Sequence, residues 1–312
     1  MSSLDDVMRH QRGVVARRQV EQAGERAADI ARRLRRREWA LLLPGVYVDH
    51  TGPPSGEQRA WAGVLYYAPS VLADESVLTP PGQEGPIVLA VGRQRNVRAR
   101  EGYAVRWVVD LHSTSLLNVS PPRMRIEDAA LRVAARAERE LDAVQTVVSV
   151  IQRRLTTGDR MVAALERHPR LRGRVLLGEV VRDAACGSHS VLEREFLRRV
   201  ESPHGLPASC RQHRSTVGSK VRYADASYPD FDTDVELDGW LFHRGAQRHH
   251  DLQRDLDSLA AGRLTIRLGW GQVFDGACQT AARLGTVLAA RGWRGRPVPC
   301  GPGCPAGHVP SL

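Results

Sequence analysis

The run KVRYADASYPDFDTDVELDG, Lys220 to Gly239, leaves this chain little choice of local structure. Strand-forming residues alternate with polar ones on both sides of YPDFD, and Pro with Asp at that point marks a tight turn. A turn centred between Asp230 and Phe231 makes a hairpin that pairs Asp225 with Glu236, Ala226 with Val235 and Ala224 with Leu237. The two alanines and the two large aliphatics then share one face, as packing against a helix requires. Asp225, Glu236 and Asp238 share the other. A further strand-like run, Arg211 to Val217, comes just before.

The same register sorts six acidic residues. Asp230 and Asp232 fall in or beside the turn, where aspartate serves ordinary backbone geometry. Asp234 is on the acidic face but near the turn, and either role suits it. Asp225 and Glu236 lie opposite one another with about 5 Å between Cβ atoms, and Asp238 is two residues along. Such a group is repulsive unless a cation neutralises it, and hard oxygen ligands favour Mg²⁺ or Mn²⁺. A solvated acidic edge strand is the plainer alternative. Upstream, SVLEREFLRRV (Ser190 to Val200) reads as a helix with Leu192, Phe196, Leu197 and Val200 on one face. At about 100° per residue Glu193 falls inside that face and Glu195 points away, so Glu193 needs a cation, a donor or an aqueous cleft.

The acidic hairpin sits in a basic chain, with a formal net charge of +10 over 312 residues. Of 45 Lys and Arg residues only Lys220 is lysine, a bias that genome composition also shapes. A surface of this sign meets polyanions, nucleic acid above all. The length suggests two or three domains. The N-terminal MSSLDDVMRHQRGVV lacks the apolar core of a signal peptide and no run approaches a membrane span, which predicts a cytoplasmic protein with no membrane partner. Five scattered cysteines do not read as a disulfide framework. Oligomeric state is not legible.

From Arg12 to Val48 the order is helix, turn, helix, hairpin. ARRQVEQAG ends on Gly24. AADIARRLRRRE follows, with Ile30 and Leu34 as an apolar pair among Arg32, Arg33, Arg35, Arg36 and Arg37, and WALLLPGVYV makes two strands joined at Pro44-Gly45. With GVVARRQ and PGVYV, this segment resembles a winged helix-turn-helix, and in particular the N-terminal module of type IV toxin-antitoxin (abortive-infection) antitoxins. The resemblance implies that the second helix reads DNA while the arginine cluster holds phosphates. A solvated basic helix face is the alternative.

TGPPSG (Thr51 to Gly56) reads as a hinge, SGEQRAWAGVLYYAP as a capped helix with Trp61, Val64 and Leu65 on one face, and PIVLAVG and YAVRWVV as short strands. Ile126 to Ala185 is helical almost throughout, with breaks near Thr156 to Gly158 and Pro169. No nucleophile motif stands out here, and a structural, DNA-cradling linker is the expectation. The tail CGPGCPAGH offers Cys300, Cys304 and His308. A lone C-x3-C is a weak signal for structural Zn²⁺, because further ligands must come from Cys278, Cys210 or elsewhere, and a flexible tail is the stronger expectation.

Asp225, Glu236-Leu237-Asp238-Gly239 and His243, behind a helix carrying Glu193, resemble the PD-(D/E)XK nuclease superfamily, closest to the endonuclease-domain family related to very-short-patch-repair endonucleases. The resemblance runs from about Ser188 to Trp293 and includes HHDLQRDLDSLAAG, with Asp251, Arg254 and Asp255, and RLTIRLGW, with Arg267 and Trp270. It implies Asp225 as principal metal ligand, Glu236 as second ligand, Asp238 where many relatives have lysine, His243 as general acid or base, and Glu193 at a second metal or a water. Arg254 and Arg267 are candidate phosphate contacts. Ala226 departs from the large apolar residue often found after the aspartate, and His250 and Leu252 stand where arginines are usual. The implied activity is Mg²⁺-dependent hydrolysis of DNA phosphodiesters. A non-catalytic DNA-binding regulator with a degenerate nuclease fold is the rival.

The expected fold is thus mixed α/β (α+β): a winged helix-turn-helix over 1–50, a mixed then mainly helical linker domain over 51–185, a restriction-endonuclease-like mixed sheet flanked by helices over 186–295, and a flexible tail over 296–312.

Overall fold

Regular elements follow the periodicity of the sequence closely. The computed structural model describes residues 3–79, 85–186, 190–217, 220–238, 256 and 258–307. Backbone packing divides the chain into Met1–Arg136 with Ala164–Arg172, and Ala137–Ala163 with Gly173–Leu312.

The first unit opens with α1 (Leu4–His10), β1 (Val14–Ala16), α2 (Arg17–Gln22), α3 (Ala27–Arg35), β2 (Ala40–Leu43) and β3 (Val46–Val48). The strands form an antiparallel sheet with β3 in the centre. Met8, Val15, Val20, Ile30, Trp39 and Tyr47 fill the core beside it. Next comes α4 (Gly56–Tyr66), started by Ser55, whose hydroxyl accepts the Gln58 N–H at 3.2 Å. Every residue from Ala60 to Leu65 is buried. One apolar cluster joins Val14, Val46 and Val48 to Trp61, Val64 and Leu65, and these to Leu89, Val91 and Val105. The apolar core is thus continuous across residue 50.

The rest of this unit is β4 (Ser70–Leu72), α5 (Glu75–Leu78), β5 (Ile87–Gly92), β6 (Tyr103–Val108), β7 (Ser115–Leu116), β8 (Arg123–Met124) and α6 (Ile126–Arg136). Its sheet runs β6-β5-β4-β8-β7, with β5-β6 and β4-β8 parallel. β4, β7 and β8 have two or three residues each, too few to show a period in the sequence.

The second unit contains α7 (Glu140–Gln152), α8 (Gly158–Arg167, shared between the units), α9 (Arg174–Cys186) and α10 (Ser190–Phe196). A π-helical turn, Leu197–Glu201, and a 3₁₀ turn, Ser202–His204, extend α10. Then follow β9 (Cys210–Val217), β10 (Lys220–Tyr228), β11 (Thr233–Leu237), β12 (Leu264–Leu268), α11 (Trp270–Phe274) and α12 (Ala277–Ala290). The sheet order is β12-β11-β10-β9, with β9, β10 and β11 antiparallel and β11-β12 parallel. Ala226 pairs with Val235, Ser227 with Asp234 and Tyr228 with Thr233, the register that the turn chemistry predicts. A 3₁₀ turn at Pro229–Phe231 closes the hairpin. Leu192, Phe196 and Val200 pack with Ala226, Val235 and Leu237, and α12 adds Leu284 and Leu288. Burying some fifteen such side chains outweighs any local propensity in fixing which face of the sheet is inside.

Residues 296–307, expected to be a loose tail, are packed. The Val298 N–H donates to the His204 carbonyl at 2.9 Å. Gly285 of α12 has no room for a side chain, since a Cβ there would lie 2.1 Å from Pro297 Cγ. Ala306 is fully buried.

Candidate functional site

Strand alternation carries the acidic group. Ala226, Val235 and Leu237 are buried on the face that meets α10, so Asp225, Glu236 and Asp238 project from the other. All three are half-buried. Asp225 Oδ2 accepts the Leu237 N–H at 2.7 Å, which ties its carboxylate to the strand that carries Glu236. The parallel neighbour β12 sets Arg267 beside Glu236, and their side chains meet at 2.7 Å, Nη1 to Oε2. The Asp238 N–H continues that ladder to the Leu268 carbonyl at 2.9 Å.

Asp234, open to two readings in the sequence, is structural. It is 8% exposed, accepts the Ser227 hydroxyl at 2.5 Å, and is held by Arg263 through Nη2 at 2.6 Å and Nε at 3.0 Å. This carboxylate raises the Arg263 guanidinium above its ordinary range. Asp230 and Asp232 are exposed in the turn, with Asp232 left-handed at φ 45°.

Glu193 does not join the acidic face. Its carboxylate lies 3.4 Å from Arg211 Nη2. Arg211 pairs in register with Ala226 and therefore shares the α10 side of the sheet, opposite to Asp225 and Glu236. Glu195, which the helical wheel turns outward, is the more buried of the two glutamates at 4% exposure. The wheel assumes one apolar neighbour, whereas α10 has two. Leu192 and Phe196 face the sheet, while Val191 packs with Val144, Val148 and Val180 of α7 and α9. Burial pushes the Glu195 carboxyl up, but Arg198 at 2.5 Å and Arg199 at 2.7 Å more than offset it and hold it below the usual range. Among the described residues, the one group of three or more His, Cys, Asp and Glu side chains close enough to hold a metal is elsewhere: His204, Cys278, Cys300 and Cys304. His243, Arg254, Asp251, Asp255 and His308 lie outside the described residues.

Of the N-terminal arginines, Arg32, Arg35, Arg36 and Arg37 are exposed. Arg33 is not available in the same way. Its guanidinium grips Glu25, with Nη2 to Oε1 at 2.8 Å, and stacks on Trp39 at 4.6 Å. The same unit holds a second basic feature that no sequence motif announces. A cleft of about 700 Å³ is lined by Arg132, Arg136, Arg167, His168, Arg170 and Arg172. Two fully buried aspartates anchor its rim: Asp74 meets Arg132 at 2.9 Å and Arg136 at 3.0 Å, and Asp128 meets Arg167 at 2.7 Å and His168 at 2.8 Å. These residues are scattered from 74 to 172, so only the fold brings them together.

No family model matches the chain, and no curated protein matches it significantly. No described helix is long and apolar enough to cross a membrane.

Proposed function

We propose that this chain binds DNA through its first unit and hydrolyses phosphodiester bonds at the acidic face of the hairpin, as a metal-dependent endonuclease. The observation that carries the reading is the hairpin register, in which Ala226 pairs with Val235, so that the next residues along, Asp225 and Glu236, fall on the face turned away from α10, with Asp238 alongside and Arg267 beside Glu236. Two carboxylates with a substrate phosphate and waters match the donor set of Mg²⁺ or Mn²⁺, and Asp225 and Glu236 would hold the ion. Such an ion polarises the phosphoryl group and lowers the pKa of bound water. Asp225 is oriented by the Leu237 N–H. Arg267 screens Glu236 before DNA arrives and offers donors to a non-bridging phosphate oxygen afterwards. Support also comes from the element order of the second unit: helix, three antiparallel strands, then a parallel fourth, agrees with the PD-(D/E)XK resemblance, in which these positions carry the chemistry. The first fifty residues, with four exposed arginines about the second helix of a helix-turn-helix pair, support the winged-helix reading and DNA as partner.

One observation favours a second reading, a DNA-binding regulator without cleavage. The Glu236–Arg267 ion pair neutralises one ligand internally, as a retired site would. A supercoiled plasmid incubated with the protein and Mg²⁺ or Mn²⁺ separates the two. The nuclease reading expects nicked or linear product that EDTA abolishes; retained DNA binding with no cleavage in either metal establishes the regulator instead.

A further inference from the structure

His204, Cys278, Cys300 and Cys304 come from three separate parts of the second unit. His204 ends the 3₁₀ turn after α10, Cys278 lies in the first turn of α12, and Cys300 and Cys304 flank the Gly-Pro-Gly loop near the chain end. One ring nitrogen and three sulfurs all fall within 4.8 Å of one another. A tetrahedral Zn²⁺ with Zn–S near 2.3 Å and Zn–N near 2.0 Å requires ligand atoms about 3.5–3.8 Å apart. The Cys278 and Cys300 sulfurs are 3.5 Å apart and unbonded.

The histidine supplies an independent observation. It is 1% exposed, and its Nδ1 lies 2.9 Å from the Val200 carbonyl. That contact makes Nδ1 the N–H donor and leaves a lone pair on Nε2. Nε2 is buried with no hydrogen-bond partner. An orphaned buried acceptor costs about 1–3 kcal/mol, and a histidine whose other nitrogen is fixed by a backbone carbonyl is the arrangement in which imidazole ligates metal. Backbone geometry serves the same end. Gly205, left-handed at φ 61°, turns the chain out of the His204 turn, and a Cβ there would lie 3.2 Å from Val298. The Cys304 N–H closes the loop onto the Gly301 carbonyl at 3.2 Å.

We infer that His204 Nε2 and the sulfurs of Cys278, Cys300 and Cys304 form a structural Zn²⁺ site that staples residues 296–307 to α12 and to the turn after α10. Binding converts three thiols to thiolates, releases three protons, and consumes neither oxidant nor reductant. Four protein ligands close the coordination sphere, so the ion is a fastener and takes no part in hydrolysis. Soft sulfur and imidazole donors distinguish it from the hard-oxygen site at Asp225 and Glu236. The two proposals stand or fall separately.

The test is metal analysis of the full-length chain, expressed with added Zn²⁺ and purified without chelator. One equivalent of zinc per chain is expected, with Cys278, Cys300 and Cys304 protected from a thiol reagent while Cys186 and Cys210 react. Replacing zinc by Co²⁺ should give the intense visible bands of a tetrahedral thiolate site. Cys304→Ser should lose the metal, whereas Cys186→Ser and Cys210→Ser should keep a full equivalent. Should a Cys→Ser variant fail to fold, the wild-type zinc content and Co²⁺ spectrum decide alone. Metal-free wild type with five reactive thiols, or a Cys278–Cys300 disulfide found by peptide mapping, would overturn the site.

Discussion

Single arginines in the first unit differ in burial, and the proposed function gives the two kinds different expected effects. Arg33 is committed to Glu25 and Trp39, so Arg33→Ala should lower stability by about 1–2 kcal/mol, read as a shift in the denaturation midpoint. Arg35 and Arg36 are exposed, and Arg35→Ala or Arg36→Ala should leave that midpoint within about 0.5 kcal/mol of wild type while weakening DNA binding. Buried acids give a pH signature. Glu195 and Asp128 are both held below their usual range: burial opposes the charged form, but Arg198 and Arg199 in the first case, and His168 and Arg167 in the second, overcome it. Folded-state pKa values below the unfolded ones contribute stability that is fully present above pH about 4–4.5 and lost as pH falls through the folded values. Urea midpoints measured between pH 7 and pH 3 should therefore hold until about pH 4.5 and then drop. Glu195→Gln should be less stable at neutral pH by about 2 kcal/mol and show a shallower acid limb.

Among the elements, the β10–β11 hairpin was the most legible from sequence, and the reasons are physical. A period of two, small residues opposite large ones and Pro-Asp in the turn admit a single register, and Ala226 does pair with Val235. That register is directly testable. Ala226 is fully buried against α10, so Ala226→Leu should cost about 1–3 kcal/mol, whereas Asp230→Asn in the exposed turn should be neutral; comparable losses at the two positions would contradict the packing. The α10 wheel was legible only in part. Leu192 and Phe196 face the sheet as the spacing predicts, but a second apolar neighbour around Val144 and Val180 and the π-helical turn after Phe196 bury Glu195 instead of Glu193. Neither device leaves a periodic trace. The packed tail was hidden for a related reason: Cys300 and Cys304 advertise half a site, and His204, almost a hundred residues upstream, sits in no recognisable spacing with them. The arginine cleft between Arg132 and Arg172 is likewise a product of tertiary packing.

At the level of the whole molecule, a net charge of +10 is divided between tasks. Some arginines stabilise buried acids, at Asp74, Asp128, Asp234 and Glu195, and the exposed ones at 32, 35, 36 and 37 with those at 170 and 172 are the ones the proposed DNA contact would use. Binding to a DNA duplex should then weaken steeply with salt, and each exposed phosphate-contacting arginine removed should lower the slope of log Kd against log salt by about one. A loss of affinity with no change in slope would show that the residue acts through folding. The central claim remains that Asp225 and Glu236 act together on one face of the sheet. It is tested most directly by single-turnover plasmid cleavage in Mg²⁺ or Mn²⁺ with wild type, Asp225→Asn, Glu236→Gln, the double variant and Glu193→Gln. Residues that act as a unit should give two single variants as slow as the double, each down by a hundredfold or more (~3 kcal/mol in the barrier), with Glu193→Gln still cleaving. Cleavage by Asp225→Asn or Glu236→Gln at the wild-type rate would contradict the account.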